Sequence, residues 1–149
     1  AVLIEDLRRT RTGVVVIERM LPRAELIRIL SIATVFACPS VYEPLGIVNL
    51  EAMACGTAVV ASATGGIPEV VDTGVTGLLV PIHQVQDGTG TPLEPETFVR
   101  DFAAALTTVV TDPAMAERMG EAGRLRATRE FSWESIAEAT LAVYRSVLP

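Results

Sequence analysis

The 149-residue sequence contains no lysine. All 12 of its basic residues are arginines, set against 18 acids for a formal net charge of −6. The arginines fall singly or in short groups along helical patterns, as a charged helical face does. An acidic chain of this kind lacks the clustered cations that hold a phosphate backbone, which argues against nucleic acid as a partner. Long hydrophobic runs are missing too. Nothing approaches the ~20 apolar residues needed to cross a bilayer, and no signal-peptide pattern opens the chain, so no membrane partner is expected. Cysteine occurs twice, at Cys38 and Cys55, both inside apolar stretches. Buried free thiols suit that setting better than a disulfide or a metal pair and fit a cytoplasmic location. Neither a metal nor a cofactor is expected. The single histidine, His83, stands in a polar segment and reads as a solvated loop residue.

What is present is hydrophobic: half of the residues are apolar, enough for one domain over 1–149 with an ordinary core. The chain opens at Ala1, with neither Met nor a helix cap, and reads as beginning inside a longer fold. Residues 4–12 end a helix that stops at Gly13. Val14–Ile17 has the β-branched composition of a buried parallel strand. Pro22 opens a helix to about Ser31, Val35–Cys38 forms a second strand, and Ala58–Ala61 a third. Pro68 sits in the first turn of a short helix, and turns at Asp72–Gly74 and Thr76–Gly77 lead into a fourth strand, Leu78–Val80. This alternation predicts an α/β, Rossmann-like parallel sheet of about four strands with helices on both faces. Residues 82–95 read as a surface insertion. Two or three helices close the chain: Glu96–Thr111, one from Pro113 to about Gly123, and residues 132–148. The last presents Trp133, Ile136, Ala137, Leu141, Tyr144 and Leu148 on one face, suited to core or interdomain packing.

The stretch Cys38-Pro-Ser-Val-Tyr-Glu-Pro-Leu-Gly-Ile-Val-Asn-Leu-Glu51 passes from strand end through a loop into a helix at about Gly46. With Ile47 at zero on a helical wheel, Leu50 falls at about 300°, Ala54 at about 340°, Glu51 at about 40° and Asn49 at about 200°. Glu51 thus lies inside the apolar arc, and Asn49 on the side expected to face water. A carboxylate there is expected to be buried and to need a partner. One reading is an ion pair with Arg19 or Arg23. Another uses Glu43 and Glu51 together. Ligands of open α/β sheets bind beyond the carboxyl ends of the strands, and the backbone N–H groups of Gly46, Ile47 and Val48 would favour a phosphate there. Glu51 stands ~7 Å along the helix from Gly46. A diphosphate at the helix tip could then send a sugar hydroxyl to Glu43 and a ribose diol to Glu51.

These residues resemble the donor motif of family 4 retaining glycosyltransferases, which have the GT-B fold. Glu43-x7-Glu51 within Pro-Ser-x-Tyr-Glu-Pro-Leu-Gly carries the resemblance. It continues through Glu51-Ala-Met-Ala-Cys-Gly-Thr-Ala-Val-Val-Ala, Gly65-Gly-Ile-Pro-Glu-Val-Val and Gly77-Leu-Leu-Val-Pro, over nearly the whole chain. The insertion and the Phe131-Ser-Trp-Glu segment resemble glycogen synthases of the actinobacterial type. The resemblance implies a truncated C-terminal, donor-binding GT-B domain in which Glu43 binds and polarises the donor sugar. It further implies that the backbone of Leu45, Gly46 and Ile47 meets sugar and diphosphate and that Glu51 takes the ribose. Gly65 and Gly66 either line the same crevice or make a tight turn before Pro68.

The implied substrate is ADP-glucose or another nucleotide sugar. The implied acceptor is an α-glucan or a sugar phosphate, engaged through an N-terminal domain that this sequence does not include. The family's Gly-Arg and Lys-Gly, whose cations neutralise the leaving diphosphate, are expected upstream of Ala1, and without a lysine the chain alone is expected to be inactive. Two rivals remain open at this point. One is an enzyme forming maltose 1-phosphate, or another family 4 hexosyltransferase for sucrose, trehalose or mannosyl products. The other is a non-catalytic module that binds a nucleotide or a partner domain.

Overall fold

The computed structural model describes residues 2–148. Helix α1 (Val2–Thr10) and helix α2 (Arg23–Ile32) precede strand β1 (Val35–Cys38). Helix α3 (Ile47–Ala54), strand β2 (Ala58–Ala63), the short helix α4 (Ile67–Val70) and strand β3 (Gly77–Pro81) follow in alternation. Helices α5 (Pro95–Thr111), α6 (Pro113–Glu130) and α7 (Trp133–Val147) end the chain.

The sheet is parallel, in the order β1-β2-β3, with Val35 opposite Ala58 and Val59 opposite Gly77. Central β2 is buried on both sides, and its two-residue period divides the core. Val59 and Ala61 pack with Leu30, Cys38, Met53, Ile67 and Val70 under α2, α3 and α4. Ala58 and Val60 pack with Val80, Phe102, Val109 and Met119 under α5 and the first half of α6. The expected α/β architecture is therefore present, with helices on both faces, but with three strands rather than four.

Val14–Ile17 is the strand that does not form. Val15 is 83% exposed, and no ladder among the described residues includes this segment. β-Branched composition reports fitness for a pleated, half-buried surface, not a strand by itself. Among the described residues segment 14–17 has no strand beside it to accept its backbone groups.

Helix α6 runs about two turns past the Gly123 stop expected from sequence. Gly120 and Gly123 are interior helical positions that bring α6 close to α3. A side-chain carbon on Gly120 would overlap the Gly56 carbonyl, and one on Gly123 would press on Met53. Arg126, expected to be a surface charge, donates from Nε to the Val70 carbonyl and from Nη2 to the Glu69 carbonyl, both at 3.0 Å. It thereby satisfies carbonyls left open at the end of α4, and it also pairs with Glu130 at 2.7 Å. Helix α7 is capped by Ser132, which accepts from the Ser135 N–H. None of its residues is buried, and Trp133 is 86% exposed. Its apolar face is not core packing within these residues. No helix among the described residues is long and apolar enough to cross a membrane.

Candidate functional site

The loop from Pro39 to Gly46 leaves the carboxyl end of β1 and is fastened from three sides. Ser62, at the end of β2 and fully buried, donates to the Ser40 carbonyl. Gly66 N–H donates to the Glu43 carbonyl at 3.0 Å. Gln84, from the insertion, donates through Nε2 to the Val41 carbonyl and to that of Gly90, and its Oε1 accepts from Thr64. The insertion is folded back on itself, with Val85 N–H on the Thr91 carbonyl and Leu93 N–H on that of His83. His83 is exposed, as a solvated loop residue should be.

Gly46 ends the loop with φ +96°, a left-handed conformation that glycine adopts without penalty. It is the N-cap of α3, with no side chain of its own to cap the helix. Glu43 turns back instead, and its Oε1 accepts from the Gly46 N–H at 3.1 Å. That N–H, expected to be free, is therefore occupied. Those of Ile47 and Val48 meet no acceptor among the described residues. They leave an electropositive helix end open beside a half-buried carboxylate.

Gly65 and Gly66 sit directly against this loop. A side-chain carbon on Gly65 would overlap the Glu43 carbonyl, and one on Gly66 would overlap that of Pro44. The pair is thus a close backbone packing point that brings the end of β2 beside Glu43. Leu45 and Ile47 are both exposed at the helix mouth.

The wheel placed the buried face of α3 on the wrong side. The buried residues are Asn49, Ala52 and Met53, an arc of about 140–240°. Glu51 is exposed and has no ion pair among the described residues. Arg19 pairs with Glu25 instead, at 2.7 Å. The apolar arc of Ile47, Leu50, Ala54 and Cys55 surrounds Glu51 and lines an open cavity of about 560 Å³ between α2, α3, the end of α6 and the start of α7. Arg23, Leu26 and Phe131 share its wall. Two contacts explain this: Gly123 of α6, distant in sequence, admits the Met53 face, and the missing side chain of Gly46 leaves room for Asn49. An apolar helical face turned away from the core marks a ligand or partner surface. Cys55 is correspondingly half-buried, whereas Cys38 is buried, and both are free thiols.

Two functional candidates escaped sequence reasoning. Gln84 lay in a segment dismissed as a surface insertion. Asn49 was assigned to solvent by the wheel; the one available signal was its position three residues after Gly46, where a small N-cap leaves space. Among the described residues no cluster of His, Cys, Asp and Glu could hold a metal ion.

The geometry has counterparts in known proteins. Residues 8–126 match the family model "Glycosyl transferases group 1". The α-maltose-1-phosphate synthase of Mycobacterium tuberculosis is 56% identical over 98% of this chain and 36% of its own length. The glycogen synthase of the same species is 40% identical over 83% of this chain and 27% of its own. Among solved structures, sucrose-phosphate synthase from Thermosynechococcus elongatus superposes with a TM-score of 0.75 at 36% identity, covering 97% of this chain and 33% of its own. HepE from Anabaena, solved in complex with UDP, gives 0.66 at 27% identity, covering 84% and 31%. The chain spans about a third of the length of these proteins. With its family model matched over most of its residues and its sheet shared with these structures, the chain belongs to the glycosyl transferases group 1 family.

Proposed function

We propose that this chain is the donor-binding part of a retaining hexosyltransferase that takes glucose from a nucleoside diphosphate sugar. The observation that carries the reading is the pairing of two carboxylates with one open helix end. Glu43 is bonded to Gly46 at the mouth of α3, and Glu51 is exposed on the same helix at the rim of the apolar cavity. The free N–H groups of Ile47 and Val48 suit the diphosphate, with the helix dipole behind them. Glu43 accepts from hydroxyls of the donor sugar and polarises it without acting as a nucleophile. Glu51 accepts from the ribose diol. Exposure of Glu51 supports this role better than the structural ion pair does, because a ligand can reach it. Leu45, Gly46 and Ile47 contribute backbone, and Gly65 and Gly66 border the sugar.

ADP-glucose is the proposed donor. Two acceptors remain in competition. Formation of maltose 1-phosphate, with a sugar phosphate as acceptor, is favoured by the 56% identity to the synthase of that product. Extension of an α-glucan in glycogen synthesis is the second reading, favoured by the 40% identity to a glycogen synthase. Charge stabilisation on the leaving diphosphate is the larger catalytic contribution. A chain without lysine supplies little of it, so transfer by these 149 residues alone is not expected.

Thermal-shift titration with ADP, UDP, GDP and their glucose derivatives tests the donor reading. The expected result is stabilisation by adenine nucleotides, larger for ADP-glucose than for ADP. Equal indifference to all six would replace the donor reading with that of a packing module.

A further inference from the structure

Asn49 is fully buried, and neither Oδ1 nor Nδ2 has a hydrogen-bond partner among the described residues. Leaving a buried amide unsatisfied is unfavourable, whereas a leucine, with the same branched shape, would carry no such penalty. The location is specific. A side-chain carbon built on Gly46 would lie 2.8 Å from Asn49 Nδ2 and 3.4 Å from Ile67 Cγ1. The amide therefore occupies the junction between the two loops that flank the open end of α3. One is the Glu43–Gly46 loop, the other the Gly65–Ile67 turn hydrogen-bonded to it through Gly66. Asn49 stands behind the backbone, not in solvent, so a bound anion would meet Ile47 and Val48 first.

We infer that Asn49 is a positioning residue for the diphosphate: its buried amide is one half of a hydrogen bond that the Glu43–Gly46 loop completes when an anion occupies the α3 N-terminus. The inference rests on the donor reading above and adds a coupling residue to it. The carbonyls at the two ends of the Glu43–Gly46 loop currently accept hydrogen bonds elsewhere. The Gly46 carbonyl serves the N–H groups of Asn49 and Leu50, and the Glu43 carbonyl serves Gly66. An anion held by the Ile47 N–H draws on the Gly46–Ile47 peptide and the loop behind it and turns one of these carbonyls to the waiting amide, so ligand binding satisfies a group that the free fold leaves open. The free protein gains nothing from Asn49, and the bound protein does.

Asn49 is the only asparagine in the chain, so selective 15N-asparagine labelling isolates its side-chain resonance pair. Titrating the labelled 149-residue chain with ADP should move the Nδ2 protons downfield and slow their exchange with solvent. A resonance pair that stays fixed while ADP saturates the backbone amides of Ile47 and Val48 would overturn the inference and leave the donor reading intact. Calorimetry on Asn49→Leu provides the second arm. Its melting temperature should equal or exceed that of the parent, while its affinity for ADP falls about tenfold. Unchanged affinity would overturn the inference, as would a lower melting temperature with parental affinity, the mark of a structural role. If the parent chain shows no backbone shifts with ADP at all, the donor reading itself fails and this inference falls with it.

Discussion

Glu43 Oε1 accepts from the Gly46 N–H at 3.1 Å, across the three-residue turn that opens α3. The bond fixes a carboxylate at the mouth of the helix and occupies one of the donors there. A phosphate arriving at the remaining N–H groups therefore meets the carboxylate as a neighbour, a repulsive arrangement unless a hydroxyl donor sits between them. A sugar attached to the phosphate supplies such hydroxyls. The relationship thus favours a nucleotide sugar over a bare nucleotide, and most of the expected outcomes below depend on it.

Glu51 is exposed on the cavity rim, so its removal should leave the fold intact. Glu51→Ala is expected to change stability by no more than about 0.5 kcal/mol, measured by urea denaturation. Its affinity for ADP should fall about tenfold by calorimetry, for the loss of a charged hydrogen bond to the ribose. A large drop in stability would restore the buried ion pair that the helical wheel suggested.

Gly65 combines φ +53° with no room for a side chain beside the Glu43 carbonyl. Gly65→Ala should destabilise the fold by about 1–3 kcal/mol from backbone strain and displacement of the Glu43 loop. For a domain of this size each kcal/mol lowers the melting temperature by about 2–4 °C, which differential scanning calorimetry resolves. Gly88, with φ +80° but open space around it, is the matched control; its alanine variant carries strain without the overlap and should lose less.

Gln84 ties the insertion to the Val41 and Thr64 segments. Gln84→Ala should cost about 1 kcal/mol and detach the insertion without melting the sheet. Hydrogen exchange checks this directly. The amides of Val85 and Leu93 should exchange faster, while those of β2 stay protected.

Sequence reasoning recovered the alternating α/β layout because its strongest signals were local. The apolar runs at β1, β2 and β3 and the prolines at helix starts, Pro68 and Pro113, all act within a few residues. The candidate site was legible for a related reason: Glu43, Gly46 and Glu51 lie in one strand–loop–helix unit. What escaped depended on distant neighbours. Val14–Ile17 needs a paired strand, and composition does not report one. The face that α3 buries is set by Gly120 and Gly123, some seventy residues away in sequence. Arg126 looked like a surface charge because its acceptors, Glu69 and Val70, are equally remote. Gln84 and Asn49 act through contacts of the same kind, which no periodicity encodes.

The central claim is that Glu43 reads the sugar while the open N–H groups of α3 read the diphosphate. Calorimetric titration of the parent chain and of Glu43→Gln, each with ADP and with ADP-glucose, tests it most directly. The parent should bind ADP-glucose more tightly than ADP. In the variant that preference should shrink by about tenfold or more, because hydrogen bonds to a charged acceptor are worth about 1.5–3 kcal/mol, while affinity for ADP stays equal or rises as the carboxylate charge beside the diphosphate is removed. An undiminished preference for ADP-glucose in Glu43→Gln would contradict the account.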